Sequence, residues 1–237
     1  MRSRNFSLEL LNKVAASGDI AYFDHLVSRG ADPHKSVALH SACKCKDPGL
    51  TTAMIKHLLD VHHMNIEANN EDLHDYFHAA YDSGTPLKCA VYHENLPALL
   101  TLLERGANPE RAIHQAIGGV FTHPWLPAVG PLLGAGANPH YAFDDAVDHI
   151  NFAAAKVCLE KGANPTGALR AQQAKAAEKA SGSWDREWYE YVEGDGGDSE
   201  GDDEDTAARR EGMRNFVREA GDAWMGAQSE LMGFPSN

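Results

Sequence analysis

The chain has 237 residues, 43% of them hydrophobic, and a formal net charge of −13. That is ample apolar content for a core, and the charge balance lacks the basic stripe of a nucleic-acid binder. Four cysteines in a chain this long do not make a disulfide framework and fit a reducing, intracellular compartment, cytoplasmic with a nuclear location also open.

The opening Met1-Arg2-Ser3-Arg4-Asn5-Phe6 carries charge but no apolar run behind it, which argues against a secretory leader. No stretch approaches the length needed to span a bilayer, so no membrane partner is expected. A first helix is expected around Leu11-Asn12-Lys13-Val14. A second follows with Ile20, Phe23, Leu26 and Val27, then closes on Arg29-Gly30-Ala31-Asp32-Pro33.

The same order returns along the chain. Leu39-His40-Ser41-Ala42 begins a second unit, whose expected closing glycine is replaced by His62-His63. Leu87-Lys88-Cys89-Ala90 begins a third. It continues with Leu96, Leu99, Leu102 and Leu103 and closes on Arg105-Gly106-Ala107-Asn108-Pro109. Ile113 to Ala116 and then Leu126, Val129, Leu132 and Leu133 lead to Ala135-Gly136-Ala137-Asn138-Pro139. Phe143 to Ala146 and then Phe152, Ala155, Cys158 and Leu159 lead to Lys161-Gly162-Ala163-Asn164-Pro165.

Apolar residues ten, seven, four and three before each glycine share one helix face, so each longer helix is expected to bury that stripe. Leu103 is accordingly expected in the core. The glycine stands where a left-handed cap ends the helix, and Asn/Asp-Pro turns the chain away. In the shorter helices a large apolar residue is followed three later by Ala, or by Val14 in the first, which permits close approach. Neither helix of a pair can bury its face alone, so the pairs are expected to stack into an all-α solenoid.

On these residues the chain resembles the ankyrin repeat family. Gly84-Thr85-Pro86-Leu87-Lys88-Cys89-Ala90 looks like that family's Gly-x-Thr-Pro-Leu-His-x-Ala signature, and Leu39-His40-Ser41-Ala42 matches its second half. The resemblance covers roughly Leu8 to Ala180, about five units with a C-terminal cap, and its repeat signature residues are Gly30, Gly106, Gly136, Gly162, Thr85, Pro86 and Leu87. It implies a non-enzymatic module that binds a protein partner on the concave face of the stack. It also implies that His40 is a hydrogen-bonding structural residue.

The units depart from the family's length of about 33 residues. Gly136 and Gly162 are only 26 apart, so the projecting finger is clipped there. Between Met64 and Pro86 the chain instead makes one extended loop. Leu73, His74, Tyr76, Phe77 and Tyr81 in this loop combine large aromatics with polar neighbours, as interface hot spots do, and are the candidate partner-binding residues. Packing against the stack is the competing reading. Pro131 falls inside the longer helix of the fourth unit, which is expected to be shortened or kinked.

The domain expectation is a repeat domain over 1–180, an aromatic and acidic linker over 181–205, disordered at least from 194, and an amphipathic helix over 206–237. From Asp185 to Asp205 there are eleven acidic residues and one Arg, which leaves the rest of the chain nearly neutral. This gives the alternative function, a regulator whose acidic segment engages or masks a basic protein. In the last helix Met213, Val217, Ala220, Trp224, Ala227 and Leu231 form a stripe expected to dock through Trp224.

No catalytic motif, phosphate loop or dinucleotide fingerprint is present, and no cofactor is implied. Cys43-x-Cys45 with His40 is the best metal candidate, but a structural zinc site needs four convergent ligands and no second cysteine pair follows. These residues therefore read as structural. His62-His63 reads as a divergent helix end rather than a ligand pair.

Overall fold

The computed structural model describes residues 2–70, 84–118, 124–181 and 204–231. Leu73, His74, Tyr76, Phe77 and Tyr81, and the acidic stretch up to residue 203, lie outside the described residues. Among the described residues there are twelve α-helices and no strand. None of these helices is long and apolar enough to cross a membrane. The chain divides into two compact units, Met1–Asn138 and Pro139–Asn237, so the expected repeat region falls in both.

In the first unit the helices are α1 (Arg2–Ser17), α2 (Ile20–Ser28), α3 (Ala38–Ala42), α4 (Pro48–Asp60), α5 (Pro86–Tyr92), α6 (Leu96–Glu104), α7 (Glu110–Ile117) and α8 (Leu126–Gly134). They form consecutive pairs: α1 packs on α2, α3 on α4, α5 on α6 and α7 on α8. The leading helices also pack in succession, α1 on α3, α3 on α5 and α5 on α7, and the trailing helices do so from α4 through α6 to α8. The leading helix of the first pair is the exception to the short pattern, running 16 residues.

Local chemistry fixes these elements. Asp19, Asp47 and Asn95 each cap a trailing helix by accepting from the backbone N–H three residues on. Thr85 caps α5 in the same way, with Pro86 in the first turn, where its missing N–H costs nothing. At each closing turn the glycine takes a positive φ, +95° at Gly30, +85° at Gly106, +108° at Gly136 and +88° at Gly162. Each turn makes the same two backbone bonds, as Gly106 N–H to Leu103 O (3.0 Å) and Ala107 N–H to Leu102 O (3.0 Å) illustrate. This is the glycine-closed helix end in which two orphan carbonyls are satisfied.

In α6 the buried stripe is rotated from the expected one, whereas in α8 Leu133 is buried as expected. Ala98, Leu99 and Leu102 are fully buried in α6, and Ala128, Val129 and Leu132 in α8. Leu96 and Leu126 are 37% and 39% exposed, and Leu103 is only partly buried. The residue eight before Gly106, Gly136 and Gly162 is a small Ala that faces inward, at Ala98, Ala128 and Ala154. Leu96 and Leu126 are the first residues of their helices, each followed by Pro, and hang off the helix end.

Pro131 does not shorten α8. That helix has nine residues, as α6 does. A proline at this position forfeits one bond to the carbonyl four residues back, and the helix resumes with Ala135 N–H to Pro131 O at 2.9 Å.

The second unit contains α9 (Pro139–Asp148), α10 (Phe152–Glu160), α11 (Thr166–Ser181) and α12 (Glu204–Leu231). Its last helix starts at Glu204, two residues before the expected boundary, because acidic residues are favoured in the first turn by the helix dipole. The helix packs on α11, where Gly221 lies against Leu169, and it buries Met213 and Val217. A Cβ on Gly221 would stand 2.6 Å from Leu169 Cδ2, so the glycine permits the approach. The Phe216 ring meets Phe152 edge to face, with centroids 5.8 Å apart. Trp224 is only partly buried and Ala227 is exposed, so the contact is centred one to two turns earlier than the sequence suggests.

Val217→Asp places a carboxylate in a fully buried position and is expected to detach α12. Limited trypsin digestion should then cut at Arg214 and Arg218 several-fold faster than in the unaltered protein. Unchanged cleavage rates would show that Val217 does not anchor the helix.

Candidate functional site

Three features of the first unit carry chemistry, and all sit around the second helix pair. The first is the turn that ends α4. His63 occupies the place of the repeated glycine and takes φ +50°, a conformation that His tolerates better than most residues. Asn65 keeps the repeated Asn, and its Oδ1 accepts from Glu67 N–H at 3.0 Å, as Asn108 Oδ1 does from Glu110 N–H at 3.1 Å. So His63-Met64-Asn65-Ile66 is the same turn in other letters.

Two details extend the equivalence. Glu67 Oε1 accepts from Asn108 N–H at 2.7 Å, and Glu110 Oε1 accepts from Asn138 N–H at 2.5 Å. Each turn is thus tied to the next by a side chain at the same place. The α4 turn is nevertheless longer by one residue. Met64 N–H reaches back six residues to Leu58 O (3.1 Å), where Ala107 reaches back five to Leu102 O. The added residue swings His62 onto α2.

The second feature is where His62 arrives. His62 Nε2 and His57 Nε2 both lie 2.8 Å from Asp24 Oδ1. The two imidazoles meet edge to face at 5.0 Å, and His62 rests against the buried Phe23 ring at 5.3 Å. The His57 and His62 side chains are 15% and 13% exposed, and Asp24 is 45% exposed. Burial pushes the Asp24 carboxyl upward, but the hydrogen bonds from both imidazoles and their charges outweigh it and hold the group below its ordinary value. The three ligand atoms lie within 4.8 Å of one another.

The third feature is the pair of residues that flank 71–83. Asn70 N–H donates to Gly84 O (3.2 Å), and Gly84 N–H donates to Asn70 Oδ1 (2.7 Å). The residues that flank 71–83 are therefore hydrogen-bonded to each other. His40 Nε2 stands 3.1 Å from Ala68 O and 3.0 Å from Gly84 O. Both partners are acceptors, so the ring carries its proton on Nε2 and shares it between them. His40 is 3% exposed and belongs to the fully enclosed helix α3.

The cysteines do not converge. Cys43 Sγ donates to Leu39 O and Pro86 O, both at 3.4 Å, Cys89 Sγ donates to His40 O at 3.3 Å, and Cys45 Sγ points to Asp47 O at 3.8 Å. Asn95 Nδ2 ties Cys43 O and Cys45 O at 2.8 and 2.7 Å. In the second unit, burial, aided by Asp145, pushes the Cys158 thiol up to about 12, which keeps it an unreactive core group.

The signature residues fall at structural positions. Thr85 and Pro86 start α5, Leu87 is buried, and Gly30, Gly106, Gly136 and Gly162 close helices. The group of Asp24, His57 and His62 was not legible in sequence. Its only outward sign is His62-His63 at the place of a closing glycine. Compared with known proteins, the chain matches no family model, and no curated protein matches it.

Proposed function

We propose that this chain is an ankyrin-like solenoid that serves as a non-enzymatic protein-interaction module, with residues 71–83 as its contact loop. The observation that carries this reading is the pinned neck of that loop. Elsewhere in the chain the closing turn leads into the next helix within a few residues, as Gly106 does into α7 at Glu110. Between Asn70 and Gly84 lie 13 residues, yet these two flanking residues are hydrogen-bonded together and held by His40 through Ala68 and Gly84. A fixed neck limits the entropy lost when the loop meets a partner. The loop sequence offers Leu73, Tyr76, Phe77 and Tyr81 as apolar anchors and His74 among the polar neighbours.

The test is binding to a protein partner identified by cross-linking in the native cell with cross-links mapped to residues. Tyr76→Ala combined with Phe77→Ala is expected to weaken that binding at least tenfold, about 1.4 kcal/mol, with the melting temperature nearly unchanged. Retained folding with retained binding would remove the loop from the interface. Loss of folding would assign these aromatics to packing. Ionic strength separates the acidic-segment alternative: binding through residues 185–205 should weaken steeply with salt, whereas a contact with an apolar centre persists.

A further inference from the structure

We propose that Asp24, His57 and His62 form a binding site for a divalent transition-metal ion, with Zn2+ the reference ion and with coordination positions left open to water or an outside ligand. The site is independent of the interaction loop.

The donor set is two imidazole nitrogens and one carboxylate oxygen, which suits imidazole-preferring ions such as zinc, nickel and copper rather than calcium or magnesium. Three protein ligands with a further open position are the arrangement of zinc sites that bind an exogenous group. The distances are close to those required. Both Nε2 atoms are 2.8 Å from Asp24 Oδ1. Around a tetrahedral ion with bonds of about 2.0–2.1 Å, ligand atoms stand about 3.3 Å apart. The two nitrogen–carboxylate separations therefore need to open by only about half an ångström, and the three ligand atoms already lie within 4.8 Å of one another.

The proton balance is simple. In the hydrogen-bonded arrangement each ring donates Nε2–H to the carboxylate. On metal binding each Nε2 gives up its proton, to Nδ1 or, where Nδ1 already carries one, to solvent, and the freed lone pair joins the ion. Asp24 exchanges two accepted protons for one metal bond.

The protein holds the ligands in place and leaves a way in. His57 is in the last turn of α4, and His62 is braced against Phe23, which is fully buried. The two rings are mostly covered, while Asp24 is open to solvent on one side. His62 reaches Asp24 because the α4 turn is one residue longer than the turns after α2, α6 and α8. The departure from the repeat and the third ligand are the same residue. A purely structural helix end needs neither the added residue nor a second imidazole on a carboxylate that His57 already satisfies.

The experiment uses the full chain, stripped with chelator and titrated with ZnCl2 by calorimetry, together with thermal melts. Expected is a single saturable equivalent that raises the melting temperature. Asp24→Asn and His62→Gln, each checked for folding by far-UV circular dichroism, should each weaken Zn2+ binding by at least about tenfold. A second readout needs no variant: Co2+ added to the unaltered chain should shift or broaden the His57 and His62 ring signals before those of other histidines. Absence of saturable Zn2+ binding overturns the proposal. So do unaltered affinity in both folded variants and Co2+ perturbation centred on other histidines.

Discussion

Leu102→Ala is expected to lower the unfolding free energy by about 2–5 kcal/mol, the range for a large-to-small change in a packed core. Leu102 is fully buried in α6, and its carbonyl accepts the Ala107 N–H that closes the helix. Its neighbours in the trailing layer, Met54, Leu58 and Leu132, are fully buried as well, so the surroundings cannot collapse easily into the gap. Leu103→Ala should cost clearly less, because Leu103 is only partly buried. Chemical denaturation separates the two: the midpoint should fall further for Leu102→Ala, at similar slope. A larger loss for Leu103→Ala would restore the stripe read from sequence and overturn the rotated one.

That rotation shows where sequence reading reached its limit. The apolar pattern before Gly106 contains five leucines, at 96, 99, 100, 102 and 103, so it is nearly apolar all round and periodicity alone does not select a face. The small residues decide it. Ala98, Ala128 and Ala154 are fully buried because a methyl group is all that fits where helices approach. The glycine turns were legible because a positive φ strongly favours Gly and because Asn-Pro cannot extend a helix. The α4 turn hid because His63 adopts the same backbone region and only Asn65 was retained from the motif. Asp24 was beyond reach for a different reason. It lies 33 and 38 residues from its two histidines, and the added residue that brings His62 to it is visible only once backbone bonds are counted.

His40→Ala should unfasten the residues that flank 71–83. One buried imidazole proton is shared by Ala68 O and Gly84 O, and both carbonyls lose that donor in the variant. Leaving a buried polar group unsatisfied costs about 1–3 kcal/mol, and the space left by the ring adds to it. The local effect should exceed the global one. Asn70 and Gly84 remain joined by their own two bonds, but nothing in α3 holds the pair down. Hydrogen exchange should therefore accelerate at the Gly84 N–H more than at Leu102 or Leu132, which lie in the trailing helices α6 and α8. His40→Gln should recover part of the protection, because an amide N–H can reach one of the two carbonyls. An ion-binding or catalytic role for His40 predicts another outcome, with stability and exchange unchanged and only activity lost. Uniform acceleration across the first unit would mean that His40 supports the whole core rather than the loop base. Faster exchange confined to Gly84 and its neighbours would establish His40 as the residue that fastens Ala68 and Gly84 to α3.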